Sequence, residues 1–425
     1  MQGFKRVWPL VLFFYSLLLP PEIFFEISGF RFYAFRIVEF ALFPVVLIQM
    51  LQGRIRINIV DLLNIFSAAW LVISFSVIHD FMFAIESGAS LAADALIAYF
   101  LARCSIRNLA DLRLFLTVII PGVSLASAML VIESLGGKLL LRPAVAEILG
   151  SREVGAFGLR NEKRLGFLRA YGPFYHPIMA GMFLTSLLPL YMLAMKPGRT
   201  KIVGIASSLG ALFSFSSSAF LGVATISGLY GYERLCRVVR ELSWPLLVMV
   251  AFVILILLHF FSQDGLIAVL NRYLLLNPST GYYRTLIWQY AGAEALANPV
   301  FGIGRNEWLR PLWMGSNSID AHFLLLAVKN GMPAAISAFL AYVIAIIVLS
   351  KRVSDARTTE YRNVYLGLAI ALAVVLIGQF TVSAVLTTQA IVLIIQGIGT
   401  SLAFQSRKVV QIPPSRPYSR APSHA

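Results

Sequence analysis

The sequence predicts an all-α polytopic membrane protein, and three observations carry that prediction. Hydrophobic residues make up 59% of the chain and charged residues 13%, against about one half and one quarter in soluble domains. Mean hydropathy is +0.80. Apolar runs with no common period recur along the chain, several close to the roughly 20 residues that a helix needs to cross a bilayer. Helix is the only open-chain element that satisfies its own backbone in lipid.

In order, the apolar segments cover residues 7–25, 32–51, 59–79, 85–102, 114–134, 177–195, 202–215, 218–233, 245–261, 323–350, 364–384 and 387–404. By length they make about twelve crossings. The opening MQGFKRVWPLVLFF resembles a signal peptide, but no small-residue cleavage site follows, so it is expected to stay as the first span. Glu39, Asp94 and Lys329 are ionisable groups inside spans and hence functional candidates by default. Arg36 and Glu39, three residues apart, can pair on one helix face, which favours a structural bridge for Glu39. Gly331-Met332-Pro333 should break or kink the span that contains it.

Lys and Arg set the orientation, because cytoplasmic loops carry their excess. With the N-terminus inside, every short loop agrees, and most of the 35 Lys and Arg fall on inner loops and ends. Both termini are then cytoplasmic. Residues 405–425, rich in Pro, Ser and Arg, cannot build a core and are expected to form a disordered cytoplasmic tail after a membrane domain spanning 1–404. The net charge of +15 invites a nucleic-acid reading, yet the inner basic residues are scattered, with no aromatic interleaving. Two cysteines give neither a disulfide framework nor a CxxC pattern. With no HxH, DxD or HExxH spacing in the outer loops, no metal or other cofactor is expected.

Two long outer loops, about 135–176 and 262–322, interrupt this pattern. The first holds Lys138, Arg142, Arg152, Arg160, Lys163, Arg164 and Arg169 against Glu147, Glu153 and Glu162, a cationic surface suited to an anionic ligand. Each loop ends in a histidine where the chain re-enters the membrane: His176 before Pro177, and His322 in NSIDAHF, two residues after Asp320. An imidazole there can cap its helix, or take a proton from a hydroxyl. For His176 the two readings are balanced, and for His322 function is favoured. Lys329, within two turns of His322, can face the same cavity.

RTLIWQYAGAEALANPVFGIGRNEW followed by SIDAHFLLLAVKNGMPAAI resembles the shared domain of the O-antigen ligase and Wzy-type polymerase family. RAYGPFYHPIMAG is similar to that family's preceding outer loop. The likeness covers roughly residues 165–350, and the NSID and KNGMP wording is closer to exopolysaccharide polymerases than to lipid A-core ligases. One feature departs: where the family often shows a Ser-Arg-Gly turn between two spans, this chain has Ser216, Ser217, Ser218 and Ala219. The resemblance implies a GT-C-like bundle with its long loops in the periplasm. It implies a multi-pass inner-membrane enzyme that moves glycan from undecaprenyl pyrophosphate to an acceptor sugar hydroxyl, without nucleotide sugar. A chain-length regulator and a flippase are the protein partners that such an enzyme would have.

Such chemistry needs cations to hold a departing pyrophosphate, which the planar fork of Arg binds bidentately. Arg284 and Arg169 match the family's two loop arginines, and Arg305 is a further candidate, as is His176. For Arg160 and Arg164 a solvated loop face is the better account. It also needs a base at the acceptor hydroxyl, which His322 with Asp320 can supply. Trp288, Trp308, Trp313, Tyr282 and Tyr283 can stack on sugar rings, though Trp and Tyr also gather at membrane interfaces for packing. Ligation to lipid A core shares this chemistry. A lipid-linked glycan flippase or an anion transporter is the rival class, although no clear internal repeat is present.

Overall fold

The computed structural model describes residues 2–27, 30–150, 159–261 and 278–405, which are mostly helical. First come α1 (Gln2–Ser16), an antiparallel hairpin of β1 (Phe24–Ile27) and β2 (Phe30–Tyr33), α2 (Ala34–Leu51), α3 (Ile59–Ile78) and α4 (Phe81–Ser105). Then follow α5 (Leu109–Gly136), α6 (Leu141–Ile148), a second hairpin of β3 (Lys163–Arg164) and β4 (Phe167–Leu168), and α7 (Pro177–Leu193). A 3₁₀ turn, Gly210–Ser214, separates α8 (Arg199–Leu209) from α9 (Ser217–Val238), which precedes α10 (Trp244–Phe261). The last part contains α11 (Pro278–Ala297), α12 (His322–Asn330), α13 (Met332–Asp355), α14 (Thr359–Gln379) and α15 (Thr387–Ala403).

Six of these helices, α2, α3, α4, α5, α13 and α14, are long and apolar enough to cross a bilayer, and α7, α10 and α15 are shorter apolar helices. The chain is an all-α membrane protein. Its core forms where α15, almost wholly buried, packs on α4, α13, α14 and α7. Gly397 lets α15 approach α4 closely, since a Cβ there would come within 2.4 Å of the Tyr99 carbonyl oxygen.

Two arginine–aspartate pairs lie inside the bundle. Arg103 grips Asp61 through Nε and Nη2 at 2.9 and 2.8 Å, while the Tyr99 hydroxyl and the Asn58 N–H donate to the same carboxylate. Arg36 bonds Asp94 on α4, at 3.1 Å through Nε and 2.5 Å through Nη2, and not Glu39 as its spacing suggested. A partner across the α2–α4 contact meets the fork with both nitrogens, and Glu39 is buried one turn further on.

Other expectations change as well. Each long loop carries structure: α6 and the second hairpin in 135–176, and α11 in 262–322. The disorder expected for 405–425 falls, from residue 406 on, outside the described residues. The run 323–350 is two helices and not one span. At Gly331 (φ 86°, ψ 167°) the chain reverses, so that α12 runs back along α13. Phe323 meets Phe339 edge-on at 5.6 Å, and His322 lines one cavity with Tyr342, as Leu326 does with Ala338. Only glycine fits the turn, because a Cβ on residue 331 would lie 1.9 Å from the Val300 carbonyl oxygen. Pro333, in the first turn of α13, has no N–H that needs a partner.

Candidate functional site

The first long loop is fixed by one carboxylate. Glu133, near the end of α5 and fully buried, accepts N–H bonds from Leu140 and Leu141 at 3.0 and 3.1 Å on Oε1. On Oε2 it accepts them from Tyr171 and Gly172 at 3.1 and 2.8 Å. Arg142 is buried as well, bonded through Nε to Glu22 at 2.7 Å and through Nη1 to the Tyr175 carbonyl at 3.0 Å. That cation therefore braces the loop against the start of the chain.

The hairpin aims Arg169. Leu165 and Gly166 both take positive φ, 52° and 86°, which suits a two-residue turn. The Arg169 N–H bonds the Glu162 carbonyl at 2.9 Å, just beyond the β3–β4 ladder. Phe167 stacks on Phe215 at 5.1 Å, with the rings 9° apart, anchoring the hairpin to the turn before α9. In that turn Ser216 caps α9 and Ser218 Oγ donates to the Ile178 carbonyl at 2.9 Å, so the serines that replace the Ser-Arg-Gly pattern tie α9 to α7.

Arg169 and Arg284 are brought together by this arrangement. They are 4% and 5% exposed, and the charge of Arg169 acts on Arg284. One nitrogen of Arg169 pairs with Glu162. Its Nε and Nη2, and Nε and Nη1 of Arg284, have no acceptor among the described residues. Burial works against the Arg284 cation; Asp320 favours it and Arg169 opposes it. Burial would raise the Glu162 carboxyl, but the hydrogen bond and charge of Arg169, with Arg164 and His176, hold it below the usual range. Arg164 shares this field, lowered first by burial and then by Arg169.

His176 caps α7: its Nδ1 accepts the Ile178 N–H at 3.2 Å, and its ring meets Tyr171 edge-on at 5.9 Å. Burial, followed by the Arg169 charge, pushes its pKa down to about 4. His322 occupies a different compartment. It opens α12 and lines a cavity of about 50 Å³ with Asn64, Ser67, Tyr342, Gln379 and Gln389, room for an ordered water or a hydroxyl group. Its Nδ1 has no partner among the described residues. Burial alone pushes the imidazole down to about 4. Asp320 favours the Arg284 cation, while burial keeps His322 a neutral imidazole. Two residues of extended chain span at most about 7 Å, so the backbone of Asp320, whose charge acts on Arg284, lies within that reach of His322.

Arg305 lies apart from the pair. Its guanidinium sits 5.3 Å from the Phe83 ring centre and its N–H bonds His79 Nε2 at 2.9 Å. Trp288 is half-buried against the packing between α11 and α12. Trp308 is 2% exposed, with its indole N–H on the Asn317 carbonyl at 3.0 Å, so it is core and not a sugar platform. Trp313 and Tyr282 remain exposed, and the Tyr283 hydroxyl bonds Ser316. Lys329 donates to the Asn306 carbonyl at 2.7 Å, away from the His322 cavity.

Sequence reasoning missed Glu133, although an ionisable residue in the run 114–134 was itself a signal. It also missed Asn64 and Ser67, three residues apart on α3, and Gln379 at the end of α14, which only the packing of the two helices brings to one cavity. The sequence matches no protein-family model and has no significant match to a curated protein.

Proposed function

We propose that this protein is a polymerase of surface polysaccharide, an exopolysaccharide or O-antigen. In this reading it transfers glycan from undecaprenyl pyrophosphate to an acceptor sugar hydroxyl on the periplasmic face of the inner membrane. The observation that carries the reading is the pair of buried guanidiniums, Arg169 and Arg284, with donors that meet no acceptor among the described residues. A buried polar group without a partner is costly, and a diphosphate supplies several acceptors and the opposite charge. The enzyme is then a GT-C-like, metal-independent glycosyltransferase of twelve crossings, with both termini cytoplasmic.

In the reaction, the acceptor hydroxyl attacks the anomeric carbon of the donor sugar. The bond from that carbon to pyrophosphate oxygen breaks, and the lipid pyrophosphate leaves with the electron pair. Arg169 and Arg284 hold the leaving group, and Arg169 keeps its aim through Glu162 and the Glu133 clamp. His322, kept neutral by burial, takes the hydroxyl proton within its cavity. The test is lengthening of lipid-linked repeat unit by purified protein in detergent, with and without EDTA. Collapse in EDTA and recovery with a divalent ion would sink the metal-free mechanism. In intact spheroplasts Cys236, at the inner end of α9 in this topology, should resist an impermeant maleimide.

One feature favours the transporter reading: α12 and α13 form a reversed pair broken at glycine, as occurs at transport sites. A flippase would move lipid-linked unit across vesicles and make no longer glycan. Ligation to lipid A core would instead leave chain length intact in a deletion strain and strand polymer on the lipid carrier.

A further inference from the structure

We infer that the crevice enclosed by α9, α10, α13 and α14 binds an anionic phospholipid, its headgroup on a basic rim and its acyl chains against α14. The cavity is about 1310 Å³, above the roughly 300–1,000 Å³ of sites for drug-sized ligands. Its walls are apolar, with Leu229, Val248, Phe252, Ile347 and Ile370 among them. At one end the lining turns polar and basic, with Arg237, Lys351 and Arg362 around Glu233.

Glu233 is already engaged. It is 3% exposed, pairs with Arg362, and accepts the Trp244 indole N–H at 2.8 Å. Arg237 reaches it only at 3.4 Å and keeps 35% of its side chain exposed. Lys351 is exposed at the same end. Two cations on one occupied carboxylate, with Lys351 lining the same crevice, leave a net positive rim beside a tryptophan, the composition of a membrane interface that attracts anionic lipid.

The depth suits one leaflet. α9 lines the crevice from Leu229 to Arg237, α10 from Trp244 to Phe252 and α13 from Ile346 to Ser354. Each stretch is about 12 Å of helix, close to half of the roughly 30 Å hydrocarbon core, and the α14 wall extends from Arg362 at the rim to Ile377, about 22 Å. Acyl chains of a lipid in that leaflet therefore fit beneath its headgroup. Neither Arg169, Arg284 nor His322 lines this crevice, so the site stands independently of the proposed reaction.

The experiment is native mass spectrometry of the delipidated full chain, offered phosphatidylglycerol and phosphatidylcholine of equal chain length. Wild type should retain phosphatidylglycerol at least about tenfold better, given roughly 1 kcal/mol per basic residue near the headgroup. Arg237→Glu with Lys351→Glu should erase the preference, and the milder Lys351→Ala should reduce it. Ala373→Trp, which fills the apolar wall, should reduce retention of both lipids. Equal retention by wild type, or a full preference in the charge-reversed protein, would overturn the proposal, as would a dimer whose formation excludes lipid.

Discussion

Arg169 and Arg284, distant in sequence, are buried within reach of each other's charge, and each keeps two guanidinium nitrogens without an acceptor among the described residues. Glu162 and Asp320 meet part of this charge, and the donors left unmet weaken the fold unless a further anion joins them. Arg169→Ala and Arg284→Ala should each abolish glycan lengthening while thermal stability holds or rises. Lys at either position should restore activity only in part, because a point charge replaces a fork. Stability that falls in parallel with activity would mark the pair as structural.

His322→Ala should slow transfer by about 10²-fold or more while donor binding is largely kept, because the arginines hold the pyrophosphate. Single-turnover kinetics beside a donor-binding assay separate these effects. A fully active His322→Ala protein would remove this imidazole from the chemistry.

Both buried histidines should show in the pH dependence of stability. His176 and His322 are held at about 4, below the ordinary 6.5 of an unfolded chain. Between those values the unfolded state binds more protons, so stability should rise with pH through that window and be lost as pH falls from 6.5 towards 4. Chemical denaturation of His322→Asn across pH 4 to 7 should give a shallower slope than wild type.

Glu133→Gln keeps the shape of the clamp but offers one carbonyl oxygen where two carboxylate oxygens served four N–H groups. Stability should drop by about 1–3 kcal/mol. Limited proteolysis within residues 137–176 should become faster, and transfer should weaken because Tyr171 and Gly172 lie only two and three residues after Arg169.

Gly331→Ala places a side chain in a backbone region that is essentially glycine's alone, a strain of about 1–3 kcal/mol before any clash. The clash is with the Val300 carbonyl oxygen. The monodisperse fraction on size-exclusion chromatography should fall sharply, and an unchanged profile would argue against the reversal between α12 and α13.

What the sequence determined by itself was the solvent and the material of the fold. Composition and run length require membrane helices, since in lipid a backbone must satisfy itself, and this needs no knowledge of neighbours. The break at Gly331-Met332-Pro333 was legible for the same local reason. Direction and partnership were not. Whether the chain kinks or reverses at Gly331 depends on Val300 and Phe339, and whether Arg36 meets Glu39 or Asp94 depends on how α2 lies against α4. Arg169 and Arg284 could be named from their motifs, but their shared burial arises where the second hairpin, held by Phe215 and Glu133, comes up against the segment carrying Asp320. Tertiary structure also gave Asp320 and His322, two residues apart in sequence, different surroundings, the one acting on the Arg284 cation and the other buried, because burial and electrostatic environment are set by the helices that surround a residue and not by its position along the chain.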